Sequence, residues 1–242
     1  MILQGLEKGR VALGLAKAGG MMQQALVLGA SGGIGAAVAL ALEGQGYAVT
    51  RLSRSVDGLD VTDEASVQAC LDRLVGRFTT VFVATGALEL GPYRPEKSLR
   101  AVDPAAFSAQ FALNATGPLL VLKHALRLMP RDEPVRFAAL SARVGSIGDN
   151  HLGGWYAYRA AKAALNQLIH TAAIEVARSH PQSVVVSLHP GTVDTSLTRA
   201  HRGTHAAMST AEAAAHLLAV LDGLNPAQSG GFFDWQGKEV PW

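Results

Sequence analysis

Two kinds of segment alternate along the chain. Short apolar runs at Ala25 to Leu28, Tyr47 to Leu52, Thr79 to Ala84, Val135 to Leu140, Val184 to Leu188 and Gly230 to Phe233 are too brief for helices. They read as strands buried on both faces. Between them lie stretches with small and apolar residues at helical spacing: Ile34 to Gln45, Asp103-Pro104 through Met129 (broken only at Gly117-Pro118), Trp155 to Arg178 and Thr210 to Leu224. One more helix follows Leu59-Asp60-Val61, opened by Thr62 or Asp63 with Glu64 in its first turn. The alternation predicts an α/β fold, a parallel sheet covered by helices on both faces. Ser196 to Ser209 is irregular and rich in His, Thr and Arg, and suits a mobile lid.

No repeat or linker marks off a second domain, and 242 residues suffice for one with a large core. Met1 to Gly20 stands apart. Glycines at 5, 9, 14, 19 and 20 interrupt its leucines, so it is neither a stable helix nor the unbroken apolar core of a signal peptide. It reads as a peripheral N-terminal extension (1–20) before the domain proper (21–242).

Hydrophobic residues make up 49% of the chain and charged ones 17%, the profile of a packed globular protein. A net charge of +2 without a basic block makes nucleic acid a poor partner. The one cysteine, Cys70, excludes an internal disulfide or a cysteine-cluster metal site and reads as a small buried residue. His201 and His205 straddle Gly203 with no third ligand in view, so no metal site is expected. No apolar run approaches the ~18 residues of a membrane span, so no membrane partner is expected and the cytoplasm is the expected location.

Candidate chemistry begins at Gly29-Ala-Ser-Gly-Gly-Ile-Gly35, which joins the first strand to a helix without a gap. Gly29 permits a tight turn, Gly33 lets backbone approach a pyrophosphate and Gly35 lets the helix pack closely, while the helix N-terminus favours anions. About 20 residues on, an acidic residue would bind the ribose 2′-hydroxyl of NAD. Arg51, Ser53 and Arg54 stand there instead, and no carboxylate follows until Asp57. Guanidinium and hydroxyl groups suit a 2′-phosphate, which favours NADP(H) over NAD. Tyr158 and Lys162 lie four apart on the longest helical pattern, hence on one face. A nearby ammonium stabilises phenolate, so Tyr158 is expected to titrate below its usual ~10 and to exchange a proton with a carbonyl or alcohol oxygen.

Taken together, the glycine cluster, Asn114, Ser141, Tyr158 and Lys162 resemble the short-chain dehydrogenase/reductase family over residues 22–242. Ser-Ala-Arg-Val-Gly-Ser-Ile, Gly-Gly-Trp-Tyr-Ala-Tyr158-Arg and Gly-Phe-Phe-Asp-Trp-Gln-Gly-Lys are similar to its C-factor and Sniffer-like carbonyl reductase branch. The resemblance implies a Rossmann-type doubly wound sheet of about seven strands in the order 3-2-1-4-5-6-7. It implies Tyr158 as acid/base, Lys162 on the nicotinamide ribose, Asn114 placing a relay water and a serine hydroxyl, Ser141, orienting the carbonyl. Cofactor contacts are implied at Gly29, Ser31, Gly32, Gly33, Ile34, Gly35, Ser53, Arg54, Asp60, Val61, Thr85, Gly86, Tyr158, Lys162, Pro190, Gly191 and Thr192. It further implies a homodimer or homotetramer built through the helices at 103–129 and 155–178.

The chain departs from the family pattern in three places. Leu28 replaces a threonine before the first glycine, and Ala84-Thr85-Gly86 replaces Asn-Ala-Gly. Registering Gly145-Ser146 on the family segment puts Ser141 at the first of two serines and Ala142 at the second, the catalytic one. Adjacent strand residues face opposite ways, so Ser141 takes over only if the strand end twists, and Ser146 is the substitute. The expected activity is hydride transfer between NADP(H) and a small-molecule carbonyl or secondary alcohol. An NADP-bound sensor with little turnover is the alternative that Ala142 supports.

Overall fold

The computed structural model describes residues 22–195 and 206–242. The segment expected to be an extension, most of the expected lid, His201 and His205 therefore lie outside the described residues.

Six strands, β1 (Gln24–Leu28), β2 (Ala48–Leu52), β3 (Phe78–Val83), β4 (Val135–Leu140), β5 (Ser183–His189) and β6 (Phe232–Asp234), form one sheet in the order β2-β1-β3-β4-β5-β6. Every pairing is parallel. The expected order thus holds with one strand fewer among the described residues, six rather than seven. Leu59-Asp60-Val61, the stretch after β2, does not join the sheet. Its backbone hydrogen bonds go elsewhere: Leu59 N–H to the Ser53 carbonyl (3.3 Å) and Asp60 N–H to Ser66 Oγ (2.9 Å). Asp60 Oδ1 accepts from Thr62 N–H, turning the chain into the next helix instead of extending it.

Helices α1 (Gly33–Gly44), α2 (Arg54–Asp57), α3 (Glu64–Asp72), α4 (Pro104–Phe111), α5 (Gly117–Ala125), α6 (Tyr156–Val176) and α7 (Thr210–Gly223) complete the described elements. Asp63 caps α3 and Asp103 caps α4, each accepting a backbone N–H two residues on. Strand alternation splits the core in two. Val81, Val83, Phe137 and Val185 pack under α3, α5 and α6; Val27, Phe82, Val186 and Leu188 pack under α1 and α7. Cys70 is a buried member of the first layer.

The expected break at Gly117-Pro118 does not occur. A π-helical turn, Ala112–Thr116, links α4 to α5, so helix continues from Pro104 to Leu128. The wider ladder accommodates a proline that offers no N–H, where an α-helical ladder would be interrupted. The continuous 25-residue helix is long and apolar enough to cross a membrane by length and hydropathy, yet its Val121, Leu122 and Ala125 belong to the protein core.

Candidate active site

The site forms where the carboxyl ends of β1, β3, β4 and β5 meet the start of α6. Gly29 (φ 81°) turns the chain sharply after β1; a Cβ there would lie 2.9 Å from the Ala84 carbonyl carbon at the end of β3. A Cβ at Gly35 would lie 2.2 Å from the Gly29 carbonyl oxygen, so α1 rests directly on the turn that precedes it. Gly33 also has a packing role. Its missing side chain makes room for the methyls of Thr195 and Thr210, 3.3 and 3.1 Å from an added Cβ. These contacts pin the segment after β5 and the start of α7 to the glycine turn.

The N-terminus of α1 has no side-chain cap at Gly32 and no acidic residue in its first turn. Its free N–H groups and positive dipole end face outward beside Ser31 and Ile34. That is a cradle suited to a pyrophosphate. At the end of β2, Arg51 is committed to Glu43 (2.9 Å), whereas Arg54 enters no ion pair among the described residues. Ser53 is buried, and its N–H and Oγ both point at Asp57 Oδ2 (2.7 and 3.3 Å). Asp60 is held below the usual carboxylate range by its hydrogen bonds from Thr62, with Arg54 adding to the effect. Val61 packs beneath Gly117. Thr85 Oγ1, at the end of β3, is buried without a partner among the described residues. Gly191 (φ 76°) lies against Trp235, between Pro190 and Thr192, and Thr192 accepts a backbone bond from Met208. The glycine turn, the uncapped helix terminus and Arg54 are groups of the kind that bind a phosphorylated dinucleotide.

Two of the expected catalytic side chains, Asn114 and Lys162, meet at Gly86, and Tyr158 lies beside Lys162. A Cβ added there (φ 147°) would meet Asn114 Oδ1 at 2.8 Å and Lys162 Nζ at 3.4 Å. Asn114 sits in the π-turn, fully buried, donating through Nδ2 to the Ala87 carbonyl (2.9 Å) and to Gln110 Oε1 (2.6 Å). Lys162 donates to the Leu140 carbonyl (2.8 Å), and its Nζ lies 5.8 Å from the centre of the Tyr158 ring. Burial sets the electrostatics here. It pushes Tyr158 above its ordinary value of 10.0 and Lys162 down from 10.5 to about 7, each toward its neutral form. The expected depression of Tyr158 by its lysine is therefore not what the folded chain produces. Lost hydration of the phenolate is what raises Tyr158.

Ser141 is buried just after β4. Its Oγ donates to Asn166 Oδ1 (2.7 Å) on α6, so the hydroxyl ties β4 to that helix. Ala142 follows with no hydroxyl, and Ser146 Oγ accepts from Asp149 N–H (3.1 Å).

Three residues that pattern reading passed over also border the site. Gln110, one helical turn before Asn114, orients its amide. His189 at the end of β5 is half-buried, with its Nδ1 buried and unpartnered among the described residues; burial, the largest effect, and nearby Arg143 push it down to about 4. Glu96, from the loop marked by Pro92 and Pro95, is buried beside Tyr158. Only their placement on the chain hinted at them: a position four before Asn114, one before Pro190-Gly191, and a carboxylate inside a proline-marked loop.

The short chain dehydrogenase family model matches residues 23–206. The chain is 40% identical over 142 residues to the protein named C-signal of Myxococcus xanthus, covering 58% of this chain and 81% of that one. It is 32% identical over 188 residues to 1-hydroxy-2-glutathionyl-2-methyl-3-butene dehydrogenase of Rhodococcus sp. (strain AD45), covering 76% of this chain and 79% of that one. Among solved structures it resembles a short-chain dehydrogenase/reductase of Burkholderia multivorans with bound NADP, with TM-score 0.75 and 27% identity over 92% of this chain and all of that one.

Proposed function

The chain belongs to the short-chain dehydrogenase family, an oxidoreductase family, and from that membership we propose that it is an NADPH-dependent carbonyl reductase with Tyr158 as the proton donor. The observation that carries this reading is the cluster in which Asn114 and Lys162 meet at Gly86, with the Tyr158 ring 5.8 Å from Lys162 Nζ, next to the glycine turn. The structural relative with bound NADP supports the cofactor, as does Arg54 standing where an NAD-binding carboxylate would be.

Gly29 to Gly35 would hold the pyrophosphate, Ser53 and Arg54 the 2′-phosphate, and Asp60 and Val61 the adenine side. Thr85, Gly86 and Pro190 to Thr192 would flank the nicotinamide, and Lys162 its ribose. Bound NADPH supplies a hydride for the carbonyl carbon. Tyr158 gives the matching proton to the oxygen, so a ketone becomes a secondary alcohol and an aldehyde a primary one. A buried phenol held protonated suits the reducing direction. Lys162 replenishes and steadies that proton, and the Asn114 segment lines its route. Trp155 and Leu152 at the mouth suit an apolar aldehyde or ketone. The outer faces of α4, α5 and α6 are where a homodimer or homotetramer would form.

One observation favours a second reading, an NADP-bound sensor with little turnover: Ala142 carries no hydroxyl where the family pattern has its catalytic serine. NADPH oxidation with a panel of aldehydes, ketones and quinones, with NADH in parallel, separates the two. The reductase turns over at least one panel member and prefers NADPH. Its Tyr158→Phe variant loses turnover by about 10²-fold or more while keeping its NADPH affinity. Tight NADPH binding with no turnover on the whole panel would establish the sensor.

A further inference from the structure

Helix α6 carries Tyr158 in its first turn, yet it starts without a cap of its own. Trp155 at the N-cap has left-handed backbone (φ 53°) and makes no side-chain cap bond. Its indole nitrogen is a donor only, so it has nothing to offer the free N–H groups of the first turn. Gly153 and Gly154 are left-handed too (φ 64° and 67°), so the chain reverses tightly into the helix.

The acceptors come from Glu96, on a different element and 61 positions before Ala157. Its backbone carbonyl accepts from Trp155 N–H at 2.6 Å, and its carboxylate Oε2 accepts from Ala157 N–H at 3.3 Å. A carboxylate at a helix N-terminus also complements the dipole. Glu96 is 5% exposed, a degree of burial rare for glutamate, and its Oε1 has no partner among the described residues. Tyr158, Ala157, Glu96 and Gln110 line one water-sized cavity of about 10 Å³. Gln110 in turn bonds Asn114 (2.6 Å). On the opposite side, Arg159 donates to the carbonyls of Gly154 and Val144 (3.0 and 3.2 Å), so the turn bearing Tyr158 is gripped from both flanks.

We infer that Glu96 is a positioning residue for Tyr158: it caps the catalytic helix from the loop after β3 and fixes where the phenol sits. The inference rests on the reading of Tyr158 as the proton donor. It extends to a residue that touches neither cofactor nor the reacting atoms. A small displacement of a reacting group costs rate far more than it costs binding.

The test compares wild type, Glu96→Ala and Glu96→Gln in the full chain, since glutamine keeps a carbonyl oxygen for Ala157 N–H. Hydrogen exchange across 154–162, thermal midpoint, NADPH Kd by fluorescence, and kcat and KM for a carbonyl that wild type reduces are measured together. Glu96→Ala should exchange about tenfold faster in the first turn of α6 and lose about tenfold or more in kcat. KM and NADPH Kd should move by no more than about threefold, and Glu96→Gln should recover most of both losses. Three results overturn the proposal: kcat of Glu96→Ala within about twofold of wild type, a loss that disappears on cooling in step with the folded fraction, or glutamine failing as badly as alanine. A wild type inert toward every carbonyl would sink the reductase reading instead. Exchange in α6 would then decide the cap alone, unchanged protection overturning it.

Discussion

At the scale of single residues, neighbours at the end of β4 face opposite sides of the sheet, and their roles divide accordingly. Ser141 turns toward α6 and spends its hydroxyl on the buried Asn166. Ala142, which the family resemblance aligns with the catalytic serine, brings only a methyl. Ser141→Ala should therefore leave kcat within about twofold and lower stability by about 1–2 kcal/mol, since Asn166 Oδ1 is left buried without its donor. Ala142→Ser should raise kcat by about tenfold or more, given that one donor to a developing oxyanion is worth about 3 kcal/mol elsewhere. Steady-state kinetics and urea denaturation of the two variants check both values; loss of turnover in a folded Ser141→Ala protein would return that serine to the reaction. Tyr158, Lys162 and Asn114 were legible because a spacing of four on a helix and a motif order survive in one dimension. Glu96, Gln110 and His189 were not, because each matters through a partner far away in sequence or through burial.

At the scale of elements, the turn from β1 into α1 behaves as one rigid unit. Gly35→Ala would drive a Cβ to 2.2 Å from the Gly29 carbonyl oxygen, and that atom is backbone, so helix and turn must separate. The expected cost is about 1–3 kcal/mol in stability with at least about tenfold weaker NADPH binding, measured by thermal unfolding and fluorescence titration. The helix from Pro104 to Leu128 illustrates the converse. Gly117-Pro118 reads as a break because proline lacks an N–H and glycine lacks a Cβ. In three dimensions the π-turn just ahead absorbs the missing bond and keeps Asn114 buried at the end of β3, held by Ala87 and Gln110. A ladder offset of one residue leaves no periodic trace in an apolar stretch.

At the scale of the whole molecule, two apolar layers enclose the sheet, and the charges trapped among them link stability to pH. Lys162 binds its proton less tightly folded (about 7) than unfolded (10.5), so the unfolded chain holds more protons between those values and stability rises with pH across that window. His189, pushed down to about 4, acts with the same sign between there and 6.5. Tyr158 is raised, so its contribution is lost as pH climbs past 10. The urea midpoint should therefore climb from acid pH through 9, by no more than about 1.4 kcal/mol per pH unit for each proton. Lys162→Met should flatten the part above 7, and a flat wild-type profile would contradict the assignment. The sequence by itself determined the α/β class with a parallel sheet, the glycine turn and the Tyr158/Lys162 pair, because these rest on local periodicity, turn chemistry and motif spacing; the strand order came from the family resemblance those motifs carry. Only the tertiary structure decided that Leu59 to Val61 turns toward α3 without joining the sheet, that Ser141 Oγ bonds Asn166 on α6, that burial raises Tyr158, and that Glu96 caps the helix. Those outcomes turn on which groups from distant segments compete for the same hydrogen bonds and the same water, and no local pattern encodes that competition.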